Sequence, residues 1–133
     1  MTLLVFVIFA EDDFYIFEKI REYAKEYDIK FQLAGLLPEP EFSLTSKIDE
    51  LIRDSNLVLV IWSKKSQSSV WVNQEIGFAR ALNKRIIPFV ETGVSTKGFL
   101  IGLEWIEFNG DQLEMGVKEL VEYLEYYREK FFT

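Results

Sequence analysis

Leu57-Val58-Leu59-Val60-Ile61-Trp62 runs into Ser63-Lys64-Lys65-Ser66-Gln67-Ser68-Ser69, and then into Val70-Trp71-Val72-Asn73-Gln74-Glu75-Ile76-Gly77-Phe78-Ala79. The first six residues are apolar without interruption and rich in Val and Ile. That pattern belongs to a strand buried on both faces, as in a parallel sheet. The serine-rich stretch reads as a polar loop, with Ser68 or Ser69 as N-cap of a helix over about 69–83. Strand, loop and amphipathic helix in this order form the repeating unit of an α/β fold.

The same unit recurs on either side. Leu3–Phe9 is a second fully apolar strand, and Asp12 or Asp13 can cap the helix that follows over 13–27. In that helix Phe14, Phe17, Ile20, Ala24 and Tyr27 recur at three- and four-residue steps. Ile29–Ala34 is a short strand ending at Gly35. Leu36–Phe42 contains Pro38 and Pro40, which bar helix and central strand alike, so it reads as an exposed loop carrying Leu36, Leu37 and Phe42. Ser46-x-x-Asp49 resembles a capping box for a helix that buries Leu44, Ile48, Leu51 and Ile52. Arg85–Val90 is a fourth strand, Thr92–Gly102 is irregular, and Leu103–Phe108 is a short fifth strand. Asp111-x-x-Glu114 opens a last helix that buries Leu113, Val117, Leu120, Val121 and Leu124.

Apolar strands alternating with amphipathic helices predict an α/β, flavodoxin-like three-layer sandwich. Its five-stranded parallel sheet has the order 2-1-3-4-5, with helices on both faces. Ligands of such sheets bind in the crevice at the carboxyl ends of the strands, where the strand order reverses. Here that is between strands one and three, around Phe9–Asp12, Trp62–Ser66 and the start of the third helix. The Gly35–Phe42 loop flanks it.

At 133 residues the chain reads as one domain over 1–133. It holds no Cys and no His, which excludes thiol nucleophiles, disulfides, Ser-His-Asp triads and ordinary zinc sites. Chemistry, if any, falls to carboxylates, hydroxyls, Lys, Tyr or backbone. A net charge of −7 argues against nucleic-acid and anionic-membrane partners. Met1–Ala10 lacks a basic start and is too short to span a bilayer, so the expected location is cytoplasmic.

One carboxylate stands out. With Trp71 set to zero at about 100° per residue, Leu82 falls at about 20°, Ala79 at about 80°, Val72 at about 100°, Ile76 at about 140° and Phe78 at about −20°. Glu75 falls at about 40°, inside the apolar stripe. A carboxyl there must be paired or face a cleft, and its pKa is expected to rise. Glu75 is thus either a structural acid or the reactive group. Phe9, Trp62 and Trp71 are either core residues or platforms for an aromatic ring, with core packing expected of Trp71. Lys64 and Lys65 are either a solvated loop or contacts for a pyrophosphate.

Ser69-x-Trp71-x-x-x-Glu75 resembles the S-x-W-x-x-x-E segment of Toll/interleukin-1 receptor (TIR) domains. The helix, polar pair and buried strand of Ile48–Val60, the fourth strand Ile86–Val90, and Phe6–Ala10 followed by acids resemble other segments of that family, in its order and spacing. The resemblance covers nearly the whole chain and matches prokaryotic members. It implies a flavodoxin-like fold and one of two roles. Many prokaryotic and plant members cleave NAD+ at the nicotinamide–ribose bond, releasing nicotinamide and ADP-ribose or a cyclic isomer, often in antiviral or immune defence. Others are non-enzymatic modules for signal transduction through assembly.

On the enzymatic role the catalytic residue is Glu75, and Phe9, Ala10, Glu11, Trp62, Ser63, Ser69 and Trp71 are candidate substrate-binding residues. NAD+ or a related nucleotide is then a substrate, and no cofactor or metal is implied. On the assembly role Leu36, Leu37 and Phe42 form the contact loop, and the partners are further copies or other TIR domains. A third reading takes Glu75-x-Gly77-x-Ala79, which resembles a segment of nucleoside 2-deoxyribosyltransferases, whose glutamate attacks the sugar covalently. A receiver domain is set aside, because strand three ends in Ile61-Trp62-Ser63 without the aspartate that phosphorylation needs.

Overall fold

The computed structural model describes residues 1–33 and 41–133, with side chains in the second helix from Lys47 onward. Five strands, β1 (Leu3–Ile8), β2 (Ile29–Leu33), β3 (Leu57–Trp62), β4 (Ile86–Glu91) and β5 (Ile106–Phe108), form one parallel sheet in the order β2-β1-β3-β4-β5. This is the flavodoxin-like arrangement that the alternation predicts. β5 pairs only with Phe89–Glu91, beyond Pro88, and is shorter than the Leu103–Phe108 expected. A proline cannot donate to a ladder.

The sheet separates two apolar layers, and the two-residue period of the strands decides which side chain enters which. Leu3, Val5, Val7, Leu57, Leu59, Ile61, Ile87 and Phe89 point to one side. There they meet helices α1 (Phe14–Tyr23) and α5 (Leu113–Phe131). Phe6, Ile8, Val58, Val60, Trp62, Ile86 and Val90 point to the other, against α2 (Glu41–Asp54) and α4 (Val70–Ala81).

Four local expectations are corrected. The segment 13–27 is not one helix: 3-10 turns at Glu11–Asp13 and Ala24–Glu26 flank α1, and such tightening is common at helix ends. The second helix starts at Glu41 rather than near Ser46, so Phe42 lies on a helix and not on a loop. An acid in a first turn is favoured by the helix dipole and marks a start as well as a capping box does. Leu36 and Leu37 lie outside the described residues. The loop after β3 contains a short helix, α3 (Lys64–Gln67), because Ser63 and Ser66 form a reciprocal capping box. α5 starts at Leu113 after a 3-10 turn over Gly110–Gln112, and Asn109 rather than Asp111 caps that turn. Among the described residues no helix is long and apolar enough to cross a membrane.

Candidate functional site

The chain order places the C-terminal ends of β1 and β3 side by side, with Ile8 paired to Val60. From there the chain leaves β1 toward α1 on one face and β3 toward α4 on the other. Ser69 caps α4, its Oγ accepting from the Val72 N–H at 3.2 Å. The helix then carries Glu75 inward.

The face that α4 buries consists of Val72, Glu75, Ile76 and Ala79. Trp71, expected in the core, is 39% exposed, and Phe78 is exposed too. The helix is rolled relative to the stripe read from apolar residues alone. Phe99 lies beside the helix at Gly77, where a Cβ would sit 3.5 Å from the ring edge. Next to Phe99, Leu100 enters the apolar layer with Val72 and Ile76. Glu75 therefore stands at the rim of the buried face, one helical turn from the exposed Trp71.

Despite that rim position, Glu75 is only 4% exposed. Its Oε2 has no hydrogen-bond partner among the described residues. Burial pushes its carboxyl up to about 8 from an ordinary 4.5. A carboxylate there would have lost its water without gaining a donor, so the neutral acid prevails at pH 7. Val72, Ile76 and Ala79 beside it belong to the apolar layer of Ile8, Ile48 and Ile52, and Ala10 packs on that layer from the end of β1.

The other expected site residues divide between the two faces. Ala10, Ser69 and Trp71 lie on the α4 side or at its start. Phe9 turns the other way, stacked on Phe17 with ring centroids 5.6 Å apart and also packed near Phe14. Strand parity explains this, since Phe9 continues the Val5, Val7 side. Trp62 is fully buried, and its Nε1 donates to the Ser95 carbonyl at 3.0 Å, which leaves no ring face open to a ligand. Ser63 is buried and donates to Asp13. Glu11 is exposed in the turn after β1.

Lys64 and Lys65 line a cavity of about 300 Å³ on the α1 side, with Asp12, Asp13, Ser63 and Glu91. Lys65 pairs with Asp12 at 3.7 Å. No group of three or more acids, among the described residues, is arranged to hold a metal ion. Asp13 is the residue that sequence reasoning assigned differently. It occupies the N-cap position of α1 but makes no cap bond, and it bonds the serines at the end of β3 instead.

A family model described as the TIR domain matches residues 5–121. The chain belongs to the TIR domain family. No curated protein matches it by sequence. Among solved structures it is similar to the TIR domain of the Toll-related receptor TRR-2 from Hydra magnipapillata (TM-score 0.66, 17% identity, 96% of this chain and 94% of that one). It is also similar to the CMP N-glycosidase BcmB of Clostridium botulinum (TM-score 0.62, 16% identity, 88% and 97%). A third similarity is to the TIR domains of the activated Roq1 resistosome (TM-score 0.57, 16% identity, 91% and 84%). At these identities the likeness is one of fold, and the TIR assignment rests on the family model. Within this TIR domain, Glu75 is the described buried carboxyl with an unpartnered oxygen.

Proposed function

We propose that this TIR domain cleaves NAD+ at the nicotinamide–ribose bond, with Glu75 as the catalytic carboxyl. The observation that carries this reading is the state of Glu75: buried on the inward face of α4, without a partner on Oε2 among the described residues, and held neutral. A folded chain keeps such a group at a cost in stability, and groups of this kind concentrate where chemistry is done.

The chemistry needs little else. In NAD+ the nicotinamide is already cationic, so no strong general acid is required. When the C1′–N bond breaks, its electron pair returns to the nicotinamide nitrogen, and positive charge develops on the ribose. A nicotinamide cation beside Glu75 favours loss of the carboxyl proton before the bond breaks, as any opposite charge within a few ångströms does. The resulting carboxylate then faces the ribosyl cation. Water, giving up a proton, captures that cation as ADP-ribose; a nucleophile within the same molecule gives a cyclic product. Trp71, exposed one turn before Glu75, is the aromatic platform for the substrate, and Ala10 and Ser69 border the same side. Because Phe9, Trp62 and Ser63 are engaged elsewhere, they are not part of this proposal.

That a chain of the same fold is a CMP N-glycosidase supports the fold as a host for N-glycosidic cleavage. A covalent transferase reading suits Glu75 less well, since a neutral acid is a poor nucleophile. The assembly reading is supported by exposed apolar residues beside α4, of which Val70 and Phe99 line one cavity. Chromatography of NAD+ incubated with the concentrated protein tests the proposal. Free nicotinamide is the expected product. Its absence from a sample that light scattering shows to be assembled favours the non-enzymatic module.

A further inference from the structure

Asp13 is misused as a helix cap. An aspartate at this position ordinarily accepts a hydrogen bond from the first helical turn. In α1 the Asp13 side chain makes none. It is 4% exposed, and its Oδ2 accepts from Ser63 Oγ at 2.5 Å, fifty residues away in sequence, and lies 3.4 Å from Ser66 Oγ.

The two serines hold each other. Ser63 N–H donates to Ser66 Oγ at 3.0 Å, and Ser66 N–H donates to Ser63 Oγ at 3.3 Å. Each hydroxyl has one proton to give. Ser63 gives its proton to Asp13, and Ser66 gives its own to the Ile61 carbonyl at 2.9 Å. The bonds continue beyond. The Ser66 carbonyl accepts from Ser69 N–H at 3.1 Å and from Asn73 Nδ2 at 3.5 Å. Asn73 Nδ2 also donates to the Ser69 carbonyl at 2.8 Å. This thread begins on the α1 side of the sheet, crosses the ends of β1 and β3, and finishes in the first turn of α4, two residues before Glu75.

Around Asp13 stand Asp12 in its own turn, Tyr15 on α1, Lys64 and Lys65 on α3, and Glu91 on β4. Lys65 pairs with Asp12, and Glu91 accepts the Lys64 N–H at 3.1 Å. Burial raises the Asp13 carboxyl first, and Glu91 and Asp12 add to it, against the pull of the two serines. A buried acid in this company is costly, so a cap that any exposed Ser or Asp could supply does not account for it.

We propose that Asp13 is a positioning residue: by holding Ser63 and Ser66 it fixes the turn from which α4 starts, and so keeps Glu75 out of water. The proposal takes Glu75 as the functional carboxyl, as above, but its content is a structural link that does not depend on which substrate is cleaved.

The test follows the Glu75 side-chain carboxyl by ¹³C NMR in the full chain, assigned with Glu75→Gln. Wild type is expected to titrate near 8. Asp13→Ala frees Ser63, loosens the first turn of α4 and admits water, lowering the Glu75 midpoint by about one pH unit or more. Asp13→Asn keeps an oxygen that accepts from Ser63 and leaves the midpoint within about 0.3 unit of wild type. Should Asp13→Ala not fold, Ser63→Ala removes the same bond from the other end and is expected to give the same shift. Val121→Ala, a core truncation on the α1–α5 face, controls for general destabilisation and is expected to leave the midpoint in place. An unchanged midpoint in Asp13→Ala or Ser63→Ala, or an equal shift in Val121→Ala, overturns the proposal. Nicotinamide release, measured on the same samples, reports separately on the NAD+ reading.

Discussion

Replacing Glu75 by Gln should change how stability depends on pH, and the size of the change follows from the structure. In the unfolded chain this carboxyl titrates near 4.5; in the folded chain burial holds it near 8. Between those values the unfolded chain has lost the proton and the folded chain has kept it. The folded state therefore binds one proton more, and unfolding free energy falls as pH rises, by about 1.4 kcal/mol per unit. The contribution of Glu75 is fully present below pH 4.5 and is lost as pH rises through 8. Over that interval the loss sums to about 4 kcal/mol. Such a loss is a large part of the roughly 5–15 kcal/mol that stabilises an ordinary domain. Gln has nearly the same shape and no proton to lose. Other groups also contribute slopes: Asp13 is raised, while Asp28, bonded by Thr2, and Glu125, bonded by Arg128, are lowered. Those are common to both proteins and cancel in the difference. Urea unfolding of wild type and Glu75→Gln should therefore give a constant gap below pH 4.5 and a gap that grows in favour of the variant up to pH 8. Parallel curves across this range would refute the claim that Glu75 is held neutral by burial.

Three further substitutions have outcomes that follow from exposure and packing. Gly116→Ala places a Cβ 2.6 Å from Phe108 Cβ and 3.0 Å from Phe108 Cα, so α5 must move off β5. Alanine's better helix propensity is worth about 1 kcal/mol, and overpacking against backbone, at about 3 kcal/mol, outweighs it; the net loss of about 2 kcal/mol is read by urea unfolding. Trp62→Ala should cost about 3–5 kcal/mol as a core truncation, whereas Trp71→Ala, on a ring that is 39% exposed, should cost about 1 kcal/mol while reducing the quenching of tryptophan fluorescence by bound NAD+.

The parts of this fold that were legible from sequence are those decided by short-range pattern. β3 reads as buried on both faces because all six of its residues are apolar, and all six are buried. Periodicity also placed Glu75 on the buried side of α4, but it could not give the roll of the helix about its axis. Roll is a tertiary property, and what lies beside α4, such as Phe99 next to Gly77, comes from a distant segment with no pattern in common. The Asp13 network escaped for a related reason. Capping preferences are local, and they assign an aspartate before a helix to that helix. Only the strand order reveals Ser63 as its neighbour, since β1 and β3 end side by side. Strand parity, followed past Ile8, would have sent Phe9 to the α1 face and away from Glu75.

On the proposed reading, Glu75 carries the chemistry of this TIR domain. The most direct test of that role is the rate of nicotinamide release from NAD+ by wild type and Glu75→Ala, side by side, at a protein concentration where both are assembled. Loss of one positioned carboxyl is expected to lower the rate by about 10²-fold or more. Equal rates in the two proteins would show that Glu75 is not the catalytic carboxyl.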